Sequence, residues 1–353
     1  MKTIIKDAIT NLCYKLGYYP PQRIMSVTQI CKLIEDTPKT EVKEYHLLTF
    51  SKRIRNFILN KDYNQLLLFF VPEWDLANEQ YEFVGKQGHG LGESSLSTFR
   101  KVEIKNEVLF EKVYFNSYAD LHKIVWFQEN MYPLLKDRIR IPKIKKIYRG
   151  DLISIVYFEY VNLKEFDDNQ EFIQSAIELA KYFNTLSENN QAYIKQVLIA
   201  DPLFDFRQHF LYKQTKEIAK NSLTKINLDL ENLEKQVATS TLAISHGDLY
   251  KTNLFQENNL IDWDAFGFYP IGMEVAFLYQ RLLEFGIIER NDFFNWLEIN
   301  FRQAMTEEKW TEFERNALFF LYVFSQKILD DLHISILGNE LAFRFALLNQ
   351  RSN

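Results

Sequence analysis

The chain has 353 residues, of which 47% are hydrophobic and 25% charged, and a formal net charge of -5. That length holds one large domain plus an extra segment, and the acidic balance argues against a nucleic-acid-binding footprint. No run of about eighteen or more apolar residues occurs, so no transmembrane helix is expected. Residues 1–7 lack the apolar core of a signal peptide. The two cysteines, Cys13 and Cys31, are too few for a disulfide framework, and a cytoplasmic location is expected.

In chain order, residues 1–80 read as a mixed α/β extension of no legible function. Within it, 26–36 has a helical period (Val27, Ile30, Leu33, Ile34) behind an N-cap serine, and 65–71 is a short apolar run, closed by Pro72, that reads as a buried strand. A strand is predicted over 81–85. Gly85, Gly88, Gly90 and Gly92 follow, and then strands over 97–104 and 108–115 with Lys105-Asn106-Glu107 as their turn. Glycines let backbone amides approach phosphate oxygens with no Cβ in the way, although the spacing matches neither G-x-G-x-x-G nor a Walker A sequence.

Strand alternation places Val108, Phe110, Lys112 and Tyr114 on one face. A lysine among apolar neighbours needs a partner, and triphosphate oxygens would serve. Lys101 is a second candidate, and a snorkelling edge lysine is the ordinary alternative. A helix is predicted over 118–135, with an inner stripe of Leu121, Ile124, Val125, Gln128, Tyr132 and Leu135 and with Glu129 near its middle. Another strand opens at 141–144, and an apolar strand over 152–158 ends in Glu159-Tyr160-Val161. Beyond it the spacing predicts helices over 171–187, 204–236, 274–284, 291–305 and 309–337.

The chemistry concentrates between these helices. His246-Gly247-Asp248 is followed by Asn253 and then by Ile261-Asp262-Trp263-Asp264. A strand over 254–256, a turn over 257–259 and a returning strand over 260–261 carry Asp262 back beside Asn253. Four residues separate Asp248 from Asn253, as in the kinase catalytic loop. In phosphoryl transfer such an aspartate accepts the proton of the attacking hydroxyl, while the amide and a second carboxylate hold magnesium. His246 reads as a brace for the loop. The remaining histidines, His46, His89, His122, His209 and His333, lack a metal-ligand spacing, and neither a G-x-S-x-G elbow nor a Cys–His nucleophile pair is present.

"HGDLYKTN" followed by "LIDWD" resembles the signature of the aminoglycoside phosphotransferase and choline kinase family of small-molecule kinases. The resemblance implies an α+β, protein-kinase-like bilobal fold, with a small β-rich N-lobe over 81–161 and a mostly helical C-lobe over 162–353, preceded by the extension. It implies ATP and Mg2+ as cofactors and the hydroxyl of a small molecule as acceptor: an aminoalcohol, an aminoglycoside, or a sugar or glycan. Asp248 matches the catalytic aspartate, Asn253 and Asp262 the metal ligands, and Asp264 the acidic residue that often follows the tryptophan.

The same resemblance assigns the triphosphate to Gly88, Gly90, Gly92 and Lys112, with Glu129 as the lysine's partner. It assigns the adenine edge to backbone groups of Glu159 and Val161, and the acceptor pocket to the helices after the hairpin. One departure stands out: Glu274 occupies the place of the family's structural aspartate, which puts the bracing of the catalytic loop in question. The alternative is a catalytically silent relative that binds a nucleotide or a partner through the same fold.

Overall fold

Alternation of apolar and charged residues, reversed at an asparagine turn, builds the first part of the fold. The computed structural model describes residues 80–83, 96–104, 106–115, 118–149, 153–224, 229–288 and 293–351. The elements predicted at 26–36 and 65–71 lie outside the described residues, as do Gly85, Gly88, Gly90 and Gly92. The chain divides into two compact units, one of residues 1–128 with 142–162, the other of 129–141 with 163–353.

The first unit contains an antiparallel sheet of β1 (Gln80–Phe83), β2 (Leu96–Ile104), β3 (Glu107–Phe115), β4 (Ile144–Arg149) and β5 (Ile153–Glu159), in the order β1-β2-β3-β5-β4. Asn106 turns β2 into β3 at φ 66°, a conformation asparagine tolerates better than most residues. The register pairs Phe99 with Lys112, Arg100 with Glu111 and Lys101 with Phe110.

One face of this sheet carries Arg100, Val102, Leu109, Glu111, Ile155 and Tyr157, all buried. Arg100 and Glu111 form a bidentate pair across the strands, at 2.7 and 2.8 Å, with both side chains 0% exposed. The opposite face carries Lys112 and Val156. There α1 (Tyr118–Trp126) sets Leu121 and Ile124 against Val156, with Ile144, Ile147 and Phe158 around them.

The helix predicted over 118–135 is interrupted. After α1 comes a π-helical turn, Phe127–Met131, and then α2 (Tyr132–Leu135). The wider turn shifts the helical phase. Phe127, Met131 and Leu135 are each buried, as are Leu121 and Ile124, whereas Val125, Gln128 and Tyr132 are only half-buried. Gln128 instead pins the approach to β4: its Nε2 donates to Pro142 O at 2.6 Å and its Oε1 accepts from Ile144 N at 2.9 Å.

The second unit is mostly helical: α3 (Asn169–Glu188), α4 (Gln191–Ala200), α5 (Phe210–Thr224), α6 (Leu230–Ala238), α7 (Met273–Glu284), α8 (Phe293–Phe301), α9 (Glu307–Phe324) and α10 (Asp331–Arg351). The side chains of Asp168, Asp229 and Thr306 cap α3, α6 and α9 by accepting an early backbone amide. Between α6 and α7 lie two short antiparallel pairs, β6 (Leu242–Ser245) with β9 (Gly267–Pro270) and β7 (Leu254–Phe255) with β8 (Asn259–Leu260). The architecture is therefore α+β, a small antiparallel sheet unit followed by a helical one, as the protein-kinase-like reading expects.

Two helix predictions are corrected and one helix is added. Two 3-10 turns, Pro202–Phe204 and Phe206–Gln208, precede α5, with Asp201 and Asp205 capping them. α4 falls between the predicted helices, where no element was assigned. The run predicted over 309–337 breaks between α9 and α10, because Asp330 takes the amide of His333 at 2.9 Å and so starts a new helix.

α7 packs along α9, and Gly272 makes that approach possible. Its φ is +93°, and a Cβ there would stand 2.6 Å from Phe313 O and 2.8 Å from Ala317 N. Among the described residues no helix is long and apolar enough to cross a membrane. Gly272→Ala is expected to destabilise the protein by roughly 2–5 kcal/mol, combining left-handed strain with overpacking against backbone. The check is a lower urea midpoint at unchanged m-value; an unchanged midpoint would contradict this packing.

Candidate active site

The site grows from the end of β6. All four residues of this strand are buried. One edge pairs with β9, and the other is satisfied by side chains: Ser187 Oγ accepts from Ile244 N at 2.7 Å, and Gln191 both accepts from Leu242 N at 3.1 Å and donates to Leu242 O at 2.6 Å. A strand so anchored delivers His246-Gly247-Asp248 to a defined place. Gly247 has φ +80°, and a Cβ there would lie 2.2 Å from Ala265 O, so no other residue fits that turn.

The amides of Asn253 and Leu254 close the next turn on Tyr250 O at 2.8 and 3.0 Å. β7 and β8 then form the predicted hairpin, shorter than expected: Gln256 belongs to the 3-10 turn Gln256–Asn258, and β8 begins at Asn259. Glu257 and Asn258 both take positive φ, which tightens the reversal. The hairpin is tied to the distant segment at Arg140, with Leu260 N on Arg140 O at 2.9 Å, Arg140 N on Asn258 O at 3.0 Å, and an Arg140–Glu257 ion pair.

Ile261 N donates to Asn253 O at 2.9 Å, so Asp262 emerges beside Asn253. Asp262 is itself left-handed, at φ 60° and ψ 60°, an unfavourable conformation for a non-glycine residue that tends to cluster at functional sites.

Side chains converge on this hairpin. Asn253 Nδ2 donates to Asp248 O at 2.9 Å and to Asp248 Oδ2 at 3.0 Å. His246 is fully buried; its Nε2 donates to Ile261 O at 2.8 Å and its Nδ1 accepts from Asp248 N at 3.2 Å. Those two bonds specify one neutral tautomer, and burial lowers the imidazole to about 4. His246 is thus a brace across the loop.

The Asp248 carboxyl is pushed up to about 6, first by desolvation and then by the charge of Asp262; Arg281 and the Asn253 amide pull it down. Its side chain keeps 15% exposure, enough to meet a ligand. Asp264 is buried in the 3-10 turn Trp263–Ala265.

Three further residues act on this loop. Glu274, on the first turn of α7, accepts Gly247 N at 2.9 Å. Burial pushes its carboxyl up to about 7, while the backbone amides of Gly247, Leu249 and His246 pull it down. The glutamate that departs from the family pattern therefore holds the loop backbone. His209, set aside in the sequence for want of ligand spacing, is buried and its Nε2 donates to Gly247 O at 2.6 Å. Arg281, near the end of α7, brings Nη2 to 3.7 Å from Asp248 Oδ1. No local signal marks either residue, because each reaches the loop from a distant helix or turn.

Asn253 and Asp262 offer an amide oxygen and a carboxylate. With Asn253 Nδ2 committed to Asp248, its oxygen is the atom a cation would take. Among the described residues no three or more His, Cys, Asp or Glu side chains form a metal cage. A donor set this small fits Mg2+, which keeps water and phosphate oxygens in its remaining positions.

The residues that the resemblance assigns to the nucleotide fall in the first unit, apart from Glu129. Lys112 is buried, with Nζ 5.6 Å from the Phe99 ring centroid. Phe110 lies between Phe99 and Phe158, at 6.1 and 6.3 Å. Lys101 Nζ sits 4.9 Å over the Tyr160 ring. Glu129 is exposed in the π-helical turn and groups with the second unit. Glu159 N is committed to Lys143 O at 2.8 Å, so only its carbonyl could serve an adenine edge. Val161 is half-buried just beyond β5.

No protein-family profile matches the chain, and no curated protein matches it. Among solved structures it is similar to an aminoglycoside 3''-phosphotransferase from Streptomyces rimosus, at 14% identity and TM-score 0.42, over 78% of this chain and 98% of that one. That protein has also been solved with ADP and streptomycin. A Plasmodium vivax ethanolamine kinase is similar at 12% identity and TM-score 0.42, over 90% and 93% of the two chains. An aminoglycoside phosphotransferase from Alicyclobacillus acidocaldarius is similar at 12% identity and TM-score 0.42, over 79% and 94%. The motifs that resemble the aminoglycoside phosphotransferase and choline kinase family, HGDLYKTN and LIDWD, lie on the loop and hairpin between β6 and β9.

Glu274→Ala leaves the buried Gly247 amide without its acceptor and is expected to cost about 1–3 kcal/mol of stability. Glu274→Gln keeps an acceptor oxygen and should cost less. The pH dependence separates the two forms of the residue. A folded-state carboxyl near 7, against the usual 4.5, means that the native chain holds a proton the unfolded chain has shed. Its contribution to stability therefore falls as pH rises from about 4.5 to 7 and is constant above. Urea midpoints of wild type and Glu274→Gln across that window should show a shallower fall for the variant; parallel curves would refute the burial of this carboxylate.

Proposed function

We propose that the chain is a phosphotransferase that moves the γ-phosphoryl group of ATP to a hydroxyl of a small molecule. The observation that carries this reading is the Asp248–Asn253 pair, 3.0 Å apart, on a loop braced by His246 and Glu274, with Asp262 delivered alongside by the hairpin.

At about 6, the Asp248 carboxyl is ionised at neutral pH and more basic than an ordinary aspartate, which suits a base that takes a hydroxyl proton during attack. The acceptor oxygen bonds to the γ-phosphorus, the bond from that phosphorus to the bridging oxygen breaks, the proton passes to Asp248, and ADP leaves. Asn253 keeps Asp248 oriented and, with Asp262, would hold magnesium, whose charge offsets that of the triphosphate. Because the transition state of phosphoryl transfer is loose, positioning and charge neutralisation supply most of the catalysis. Lys112 and the glycines at 88, 90 and 92 would orient the phosphates. The two cysteines and the dependence on ATP suit a cytoplasmic setting.

Asp248→Asn is expected to lower turnover by roughly 10²–10⁴-fold, with ATP affinity nearly unchanged by calorimetry. Turnover within a few-fold of wild type would remove Asp248 from the role of base. For wild type, kcat/KM should rise with pH through a limb near 6, since the protonated carboxyl cannot accept a proton. A profile flat from pH 5 to 8 would contradict the assignment.

A further inference from the structure

The resemblance leaves aminoalcohols, aminoglycosides and sugars open as acceptors, and the surroundings of Asp248 discriminate among them. Arg281 Nη2 stands 3.7 Å from Asp248 Oδ1, too far for a hydrogen bond and near enough to reach the same small molecule. The guanidinium is fixed from behind. Glu284 Oε2 holds Nη1 at 2.7 Å, and the Phe277 ring lies 4.9 Å beneath Cζ. The buried Nε has no hydrogen-bond partner. Glu284 is engaged by this contact and by Gln280 Nε2 at 3.2 Å.

Beside the pair, Phe285 is 55% exposed and stacks on Tyr250, with ring centroids 4.6 Å apart and planes 18° from parallel. The charges of Arg281 and Glu284 both act on the Tyr250 hydroxyl.

We infer that Arg281 is a specificity-determining residue that selects a non-cationic, oxygen-rich acceptor of the sugar or sugar-acid class. The inference rests on the phosphotransfer reading of Asp248. Arginine has only donors to offer. With one hydroxyl on Asp248, the substituent on the acceptor's next carbon faces Nη2. A hydroxyl or carboxylate there accepts a hydrogen bond, whereas an ammonium group meets a like charge at close range. The exposed aromatic pair presents an apolar surface to the carbon face of a sugar ring.

The test is calorimetric binding of two probe sets to wild type and Arg281→Met, each loaded with Mg2+ and a non-hydrolysable ATP analogue. One set is hexoses and hexuronic acids; the other is ethanolamine, choline and an aminoglycoside. Wild type should bind a member of the first set at least tenfold more tightly than any of the second. Arg281→Met should erase most of that ratio, and Arg281→Lys should restore part of it. In turnover, Arg281→Met should raise KM for the polyhydroxy acceptor tenfold or more and change kcat less, with KM for ATP unmoved. Tighter binding of the cationic probes, binding of neither set, or a ratio indifferent to Arg281→Met overturns the assignment. Acceptors that bind with this selectivity and are never phosphorylated count against the phosphotransfer reading and for the role of Arg281.

Discussion

Gly247 is clamped on both sides, its N–H by the Glu274 carboxylate and its C=O by the His209 ring. The rest of the site depends on this clamp. It holds a left-handed glycine tight against Ala265, and the chain direction beyond that glycine sets where Asp248 points. The His246 ring then ties Asp248 N to Ile261 O, so the loop is bridged to the returning hairpin strand. Preorganisation of this kind matters most for a reaction in which the protein contributes position and charge rather than covalent chemistry.

The arrangement has an electrostatic cost. Asp248, Asp262 and Glu274 crowd into one region, and each of the outer two raises or is raised by the Asp248 charge. Desolvation adds to the repulsion. The site offsets the cost in two ways. Around Glu274 it supplies backbone amides, which solvate a carboxylate without adding a mobile charge. Around Asp248 it supplies the Asn253 amide and the Arg281 guanidinium. In the proposed reaction a divalent cation at Asn253 and Asp262 would relieve the remaining repulsion. The same imbalance keeps the Asp248 carboxyl more basic than an exposed aspartate, the property a general base needs.

Local features of the site were legible in the sequence, and distant ones were not. The hairpin could be read because its spacing is short and its turn residues, Glu257 and Asn258, stand between apolar pairs. The nearness of Asp248 to Asn253 follows from a four-residue gap. His209, by contrast, acts on Gly247 from 38 residues away, and Arg281 approaches Asp248 from the last turn of α7. Nothing in their own neighbourhoods signals those contacts. Glu274 was visible only as a departure from a pattern, and its role emerged once the first turn of α7 was placed under the loop.

The fold divides along the same line. The strands β2 and β3 were readable from alternation, whereas the π-helical turn at Phe127–Met131 changes the helical phase with no marker of its own. The helix break before α10 depends on which carboxylate caps an amide, and the apolar spacing runs straight through it. The buried Arg100–Glu111 pair was invisible for a related reason, since two charged residues on facing strands look like a solvated surface until the register is known.

The central claim is that these side chains move a phosphoryl group to an alcohol. The most direct measurement is phosphorus NMR of ATP incubated with the full chain, Mg2+ and a polyhydroxy acceptor. The account predicts a growing phosphate-monoester resonance matched one for one by ADP. No loss of ATP, or ADP accompanied only by inorganic phosphate, would contradict it.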